Sequence, residues 1–236
     1  MINDGSTDDY MSVLKPFIDK QYVTLFDSTS FPKFTGRQGK IYDMFFGSIL
    51  NQTRWLAILD MDEYLYSPKD IDLKNILSKH EDCGKLIVNW CWFNSNGHQT
   101  QPKSVVEGFT KRLEFGKKVY APSPSGWSMA GTDGPKAIVN TSHRIYGFGV
   151  HDHSVGGITK NVSYNENISS PDLLINHYAL QSREYWAKVK MPRGDADCWH
   201  SDTARDWKWF EALDVGDVVD TALLEQNKNM IKELVS

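Results

Sequence analysis

The stretch "WLAILDMDEYLYSP", residues 55–68, sets Asp60, Asp62 and Glu63 directly after a run of uncharged, largely apolar residues. In an extended segment, positions two apart face the same way, so the Asp60 and Asp62 carboxylates can converge on one hard cation. Acids this close repel each other unless a cation or hydrogen-bond donors neutralise them. A divalent metal would do so and would keep coordination positions open for the oxygens of a diphosphate. The plain alternative is a solvated acidic turn.

The elements around these acids decide between the two. "WLAILD" is a short continuous apolar run, which suits a central parallel strand buried on both faces. In open α/β sheets ligands sit beyond the carboxyl ends of the strands, and that is where these acids fall. Upstream, Asn3-Asp4-Gly5-Ser6 is turn chemistry, and Thr7-Asp8-Asp9 caps a helix expected over about 8–20. "YVTLF" (22–26) reads as a strand. "GKIYDMFFGSIL" reads as a helix with Ile41, Met44, Phe45, Ser48 and Ile49 on its packed face. Downstream, "SPKDIDLKNILSKH" reads as a helix begun at Asp70, while "KLIVNWCWF" (85–93) and "DLLINHY" (172–178) read as strands. "SREYWAKVKM" is helical, and the chain from Thr203 holds one or two amphipathic helices. Between Ser95 and Tyr164 the pattern loosens into Gly, Pro, Ser and Asn, with a strand-like "KAIVN" and the loop "GVHDHSVGG"; long irregular stretches in compact domains are usually functional or disordered.

Composition bounds the function classes. With 236 residues, 40% of them hydrophobic, one sizeable core is the expectation. A net charge of −4 gives no field to gather nucleic acid or an anionic membrane, so an anionic ligand needs a local device. No apolar stretch reaches the ~18 residues of a spanning helix and no secretory leader opens the chain, so the sequence reads as soluble and cytoplasmic. Cys83, Cys91 and Cys198 are scattered and read as reduced core residues rather than a zinc or redox site. The sequons at Asn51, Asn140, Asn161 and Asn167 are read as silent in such a chain.

Taken together, "NDGSTDD", "ILDMDEYL", "NWCWFNSNGH", "PKAIV" and "INHYALQSREYWAKVKMPRG", in that order, resemble the nucleotide-sugar glycosyltransferases of the GT-A fold. The similar group is family-2-like, carries a D-x-D-E-F/Y motif and is related to glycosyltransferase family 92. The resemblance covers residues 1 to about 195 as the GT-A domain and leaves 196–236 as a C-terminal helical extension. It implies an α/β fold with a mainly parallel mixed sheet flanked by helices. Members of the family carry a strand and helix ahead of the N-D-G-S-T-D block, which here begins at residue 3, so the resemblance implies a sheet without that strand.

The implied chemistry is transfer of a sugar from a UDP- or GDP-sugar donor to a glycan or other acceptor hydroxyl by an inverting displacement, supported by Mn2+ or Mg2+. The metal ligands implied are Asp60, Asp62 and His177. Asp4, Arg37, Gln38 and Lys40 match segments beside the nucleoside and diphosphate. In the helix after "INHY", Lys188, Lys190 and Arg193 form a basic stripe, of which Lys188 and Arg193 are expected at the phosphates. Trp92, Asn96, His98 and His151 are candidates for the sugar or acceptor, and equally suit core and turn positions. Asp152 is the expected general base, with Asp133 as the fallback.

Two other readings use the same residues. "ILDMDEYL" also resembles the D-x-D strand end of haloacid-dehalogenase-type phosphatases, but those want a small residue where Tyr64 stands. A carbohydrate-binding module without catalysis would suit the 12% aromatic content, yet it has no need for converging carboxylates.

Overall fold

The computed structural model describes residues 1–32, 34, 36–123, 126–131, 134–165, 167–193 and 205–235. In chain order these form β1 (Ile2–Asn3), α1 (Tyr10–Asp19), β2 (Phe26–Asp27), α2 (Arg37–Gly47), β3 (Trp55–Ala57), β4 (Glu63–Tyr66), α3 (Leu73–Leu77), β5 (Cys83–Trp92), α4 (Val105–Gly108), β6 (Lys111–Arg112), β7 (Lys118–Ser123), β8 (Gly126–Gly131) and β9 (Pro135–Asn140). There follow β10 (Ile145–Phe148), β11 (His153–Val155), β12 (Ile158–Asn161), β13 (Leu174–His177), α5 (Arg183–Tyr185), α6 (Met191–Arg193), α7 (Trp207–Leu213), β14 (Val218–Val219) and α8 (Ala222–Val235). Asp133 and Cys198 lie outside the described residues, as does the start of the C-terminal extension.

The main sheet runs β3-β9-β5-β13-β4, with β12 beside β5 on the edge that β13 extends. β5 is its spine. β12 and β13 lie parallel to it, pairing Thr159 with Lys85 and His177 with Trp92, while β9 lies antiparallel on the other side, pairing Lys136 with Val88. The architecture is α/β with a mixed sheet flanked by helices. It is not mainly parallel in its ladders, because β9 sits antiparallel between β3 and β5 and β4 closes antiparallel on β13. Nor is "WLAILD" a central strand: only Trp55–Ala57 pairs, at the end of the order, with all three residues partly exposed. "PKAIVN", less apolar but buried from Lys136 onward, takes the inner position instead.

Alternation along β5 sorts the core. Leu86 and Val88 pack with Ile138 of β9, Ile175 of β13 and Ile76 of α3. Cys91 faces the other way, into Tyr66, Leu174, Tyr178 and Leu223 of α8. Phe210 and Leu213 of α7 pack with Trp92 and Trp186, so the C-terminal helices close over the same sheet. Each fully buried Leu, Ile or Phe contributes about 1.5–3 kcal/mol.

Three local expectations are corrected by packing. α2 turns Ile41 and Tyr42 inward and leaves Met44 44% exposed, because Tyr42 and Phe46 meet Ile58, Val139 and Phe148. Of "YVTLF" only Phe26 is strand, paired with Ile2. "GVHDHSVGG" is not a free loop, since β10 and β11 form a hairpin across it. No described helix is long and apolar enough to cross a membrane.

Candidate functional site

The carboxyl ends of β3, β5 and β13 and the first residues of β4 and β9 meet at one edge of the sheet. Between β3 and β4 the chain turns tightly, with Glu63 N–H donating to Asp60 O at 3.0 Å and Asp60 N–H donating to the Glu63 carboxylate at 2.9 Å. Glu63 thus fastens the turn from inside, and Met61 projects at its tip, 78% exposed. The β4–β13 register sets Glu63 opposite His177, and the β13–β5 register sets His177 beside Trp92. Partnered residues in adjacent strands share a face, so these three groups gather on one side of the sheet.

Lys136, only 1% exposed, enters that face from β9. Its ammonium donates to Asp60 at 3.0 Å and to Val150 O at 3.1 Å, and lies 3.4 Å from Glu63. Burial, only partly offset by Lys136, together with the charge of Asp60 pushes the Glu63 carboxyl up to about 7.

Asp62 is held by a second buried cation. Lys190 Nζ donates to Asp62 Oδ2 at 2.5 Å, and His177 Nε2 lies 3.8 Å from Asp62 Oδ1. Lys190 is buried because it follows Trp186 by four residues on the packed side of the helix after β13, whose Trp186–Lys190 stretch is π-helical, while Lys188, two residues away, falls on the opposite side and points outward. Such π segments recur at functional sites. Burial opposes the Asp62 charge, but the His177 ring and the Lys190 ammonium outweigh it and hold the carboxyl at about 2. Burial likewise lowers His177 to about 4, so near pH 7 its ring is neutral. Burial also lowers Lys190; Asp62 resists this, while the charges of Arg205 and Arg193 add to it, which places both guanidinium groups within electrostatic reach of the ammonium.

The wall of the site is aromatic. The Trp90 ring lies 4.2 Å from the His177 ring and 5.4 Å, edge-on, from His151, while Trp92 meets His177 edge-on at 5.2 Å. Gly134 makes room for Trp90: a Cβ there would fall 1.9 Å from the indole. Three buried polar atoms in this group have no hydrogen-bond partner among the described residues, namely His177 Nδ1, Glu63 Oε1 and Trp90 Nε1. Buried polar atoms are almost always paired, so three orphans at a strand-end edge point to a ligand.

Other expected residues are placed elsewhere. Asp4 and Arg37 pair with each other through two contacts of 2.7 Å, and Arg37 also donates to Ser28 O and Pro32 O, so they fasten the start of α2. Gln38 donates to the Tyr42 hydroxyl and Lys40 is exposed. Lys188 pairs with Glu184 at the surface. Trp92 is in the core, its indole N–H donating to Leu213 O at 3.1 Å. Asn96 and His98 are turn residues, bound to Thr110 and to Gly108 O. Asp152 accepts from Lys85 Nζ at 2.7 Å. Lys85 and Val88 differ in parity along β5, so that pair is anchored from the face opposite Lys136. Burial alone would raise Asp152, but the Lys85 hydrogen bond prevails and holds its carboxyl low, a weak proton acceptor while that contact lasts.

Sequence reasoning missed Lys136, Trp90 and the inward turn of Lys190. The signals were a lysine inside the apolar "PKAIV" and a Trp one position before a Cys in "NWCWF".

Among the described residues no three ligating side chains are close enough to hold a metal as they stand. The donors nonetheless suit a hard cation: Asp62 beside a neutral His177 whose Nδ1 lacks a partner, with Asp60 across the turn. Magnesium in particular is often held by one or two carboxylates, with substrate phosphates and waters completing the shell. No protein-family model matches the chain, and no curated protein matches its sequence.

Proposed function

We propose that the chain is a glycosyltransferase that moves a sugar from a nucleotide-sugar to an acceptor hydroxyl, with the donor's diphosphate at the edge formed by Asp60, Asp62 and His177. The observation that carries this reading is the buried Asp62–His177–Lys190 group at the carboxyl ends of β5 and β13, with His177 Nδ1 unpartnered among the described residues. It is supported by the order of the five sequence blocks, four of which supply residues to this edge or its aromatic wall.

Asp60, Asp62 and His177 would hold Mn2+ or Mg2+, which when bound supplies charge stabilisation to the departing diphosphate. Lys190, Arg193 and Arg205 place three cationic groups beside Asp62, where an anionic donor group can meet them. Trp90 and His151 offer an aromatic surface of the kind that packs against a sugar ring. Asp152 can take the acceptor's proton only once Lys85 releases it.

The test is release of nucleoside diphosphate from a panel of UDP- and GDP-sugars, with and without Mn2+. Turnover should require the divalent ion and fall about 100-fold or more in Asp62→Asn, the scale of losing a preorganised charge at the reacting centre. Undiminished metal-dependent turnover in that variant would overturn the reading.

A further inference from the structure

Lys190 is a buried cation on the position that the proposed function needs for a metal ligand. Its ammonium lies 2.5 Å from Asp62 Oδ2, and the side chains of the two residues are 6% and 12% exposed. Asp62 cannot keep this contact and also bind a divalent cation without bringing two positive centres within a few ångströms of each other in a poorly hydrated place. One of them must leave. The lysine can, because its four-carbon stem is flexible and its charge is a point charge with rotatable donors rather than a fixed fork.

We propose that Lys190 is a latch on Asp62: it closes the metal site of the free protein and transfers to the donor's diphosphate when nucleotide and metal bind together. The inference rests on the function proposed above and deepens it, by making metal binding contingent on the nucleotide. Three features support it. Arg193 and Arg205 lie within electrostatic reach of the Lys190 ammonium, so a diphosphate arriving there meets three cationic groups. Lys190 lies one helical turn from the buried Trp186, on the packed side of its helix, where an apolar residue would be the default. Among the described residues His177 Nδ1 and Glu63 Oε1 are unpartnered in this closed arrangement, so the cluster is not complete in hydrogen bonds.

The test reads Mn2+ binding directly, by electron paramagnetic resonance of the free ion, with and without UDP or GDP. In the wild-type protein Mn2+ should bind weakly alone and much more tightly with the nucleoside diphosphate. Lys190→Met should tighten nucleotide-free Mn2+ binding by about tenfold or more, since a like charge ~4 Å from a bound cation is repulsive even under strong screening. It should also shrink the nucleotide's effect on Mn2+ affinity. Lys190→Gln, which keeps length and a hydrogen-bond donor, should behave alike and serves if the methionine variant does not fold. Unchanged Mn2+ affinity in both variants overturns the latch. If the wild-type protein binds neither nucleotide nor metal, the glycosyltransferase reading falls; the latch then stands only if the variants bind Mn2+, and falls with it if they do not.

Discussion

The same two strands carry an acid, a histidine and lysines at both ends. At the amino ends of β5 and β13, His80 Nε2 contacts Asp172 at 3.0 Å, Lys160 Nζ contacts His80 Nδ1 at 3.2 Å, and Lys69 Nζ donates to Asp172 at 2.7 Å. An ammonium can only donate, so His80 Nδ1 accepts and Nε2 carries the proton. Every ring nitrogen and carboxylate oxygen there is partnered. At the carboxyl ends, Asp62, His177 and Lys190 make the corresponding set, yet His177 Nδ1 and the neighbouring Glu63 Oε1 have no partner among the described residues. A satisfied cluster stabilises and has nothing left to offer a ligand. An unsatisfied one costs stability, and the cost is intelligible where something else completes it.

Removing a member of each cluster should therefore have opposite signatures. His80→Ala should cost about 3 kcal/mol in urea unfolding, because it truncates a side chain 3% exposed and strands Lys160 and one oxygen of Asp172. It should leave nucleotide binding unchanged; a loss of binding at unchanged stability would invert the comparison.

Glu63 sharpens the contrast through pH. Its folded pKa is raised from 4.5 to about 7, so between those values the unfolded chain has released a proton that the folded one retains, and its contribution to stability falls as pH rises through that window. His177, lowered from 6.5 to about 4, works the other way and loses stability as pH falls through 6.5 toward 4. Glu63→Gln should remove the first effect alone. Relative to the wild-type protein it should gain roughly 2–3 kcal/mol between pH 4.5 and 7, since each tenfold change in a protonation equilibrium is worth ~1.4 kcal/mol. Parallel stability curves across that range would show that Glu63 is not buried as described.

Gly134→Ala tests the aromatic wall. The new methyl would meet Trp90 at 1.9 Å, so the ring must move off His177 at about 2 kcal/mol, the usual scale of overpacking. Indole fluorescence and thermal unfolding should both change. The smallest effect is expected at Lys188, which is 73% exposed: Lys188→Ala should change stability by less than about 0.5 kcal/mol and leave nucleotide affinity alone. Arg193→Ala, by contrast, should weaken it.

Much of this site was legible in sequence because the signal was local. The acid pair at a strand exit and the strand "KLIVNWCWF" needed only patterning and the strand-end rule, while His177 came from the resemblance of the ordered blocks. Lys136 and Trp90 were not legible, since their roles come from the registers of β9, β5 and β13, and register is a tertiary fact. Lys190 is a sharper case: in sequence it groups with Lys188 in one basic stripe, but residues two apart on a helix do not share a face, and Lys190 falls with Trp186 on the packed side while Lys188 points outward. Asp4 and Arg37 are the converse case. Each is of the right type for a nucleotide, but the fold brings them onto each other.

If the carboxyl-end cluster holds a ligand and the amino-end cluster holds the fold, the two must separate in a binding experiment. Calorimetric titration of UDP and GDP in the presence of Mn2+ tests this directly, on the wild-type protein, Asp62→Asn and His80→Gln. The expected result is binding of one nucleotide to the wild-type protein, the same affinity in His80→Gln, and a loss of about 100-fold in Asp62→Asn, equivalent to ~2.7 kcal/mol. Equal affinity in the wild-type protein and Asp62→Asn, or a loss confined to His80→Gln, would contradict it.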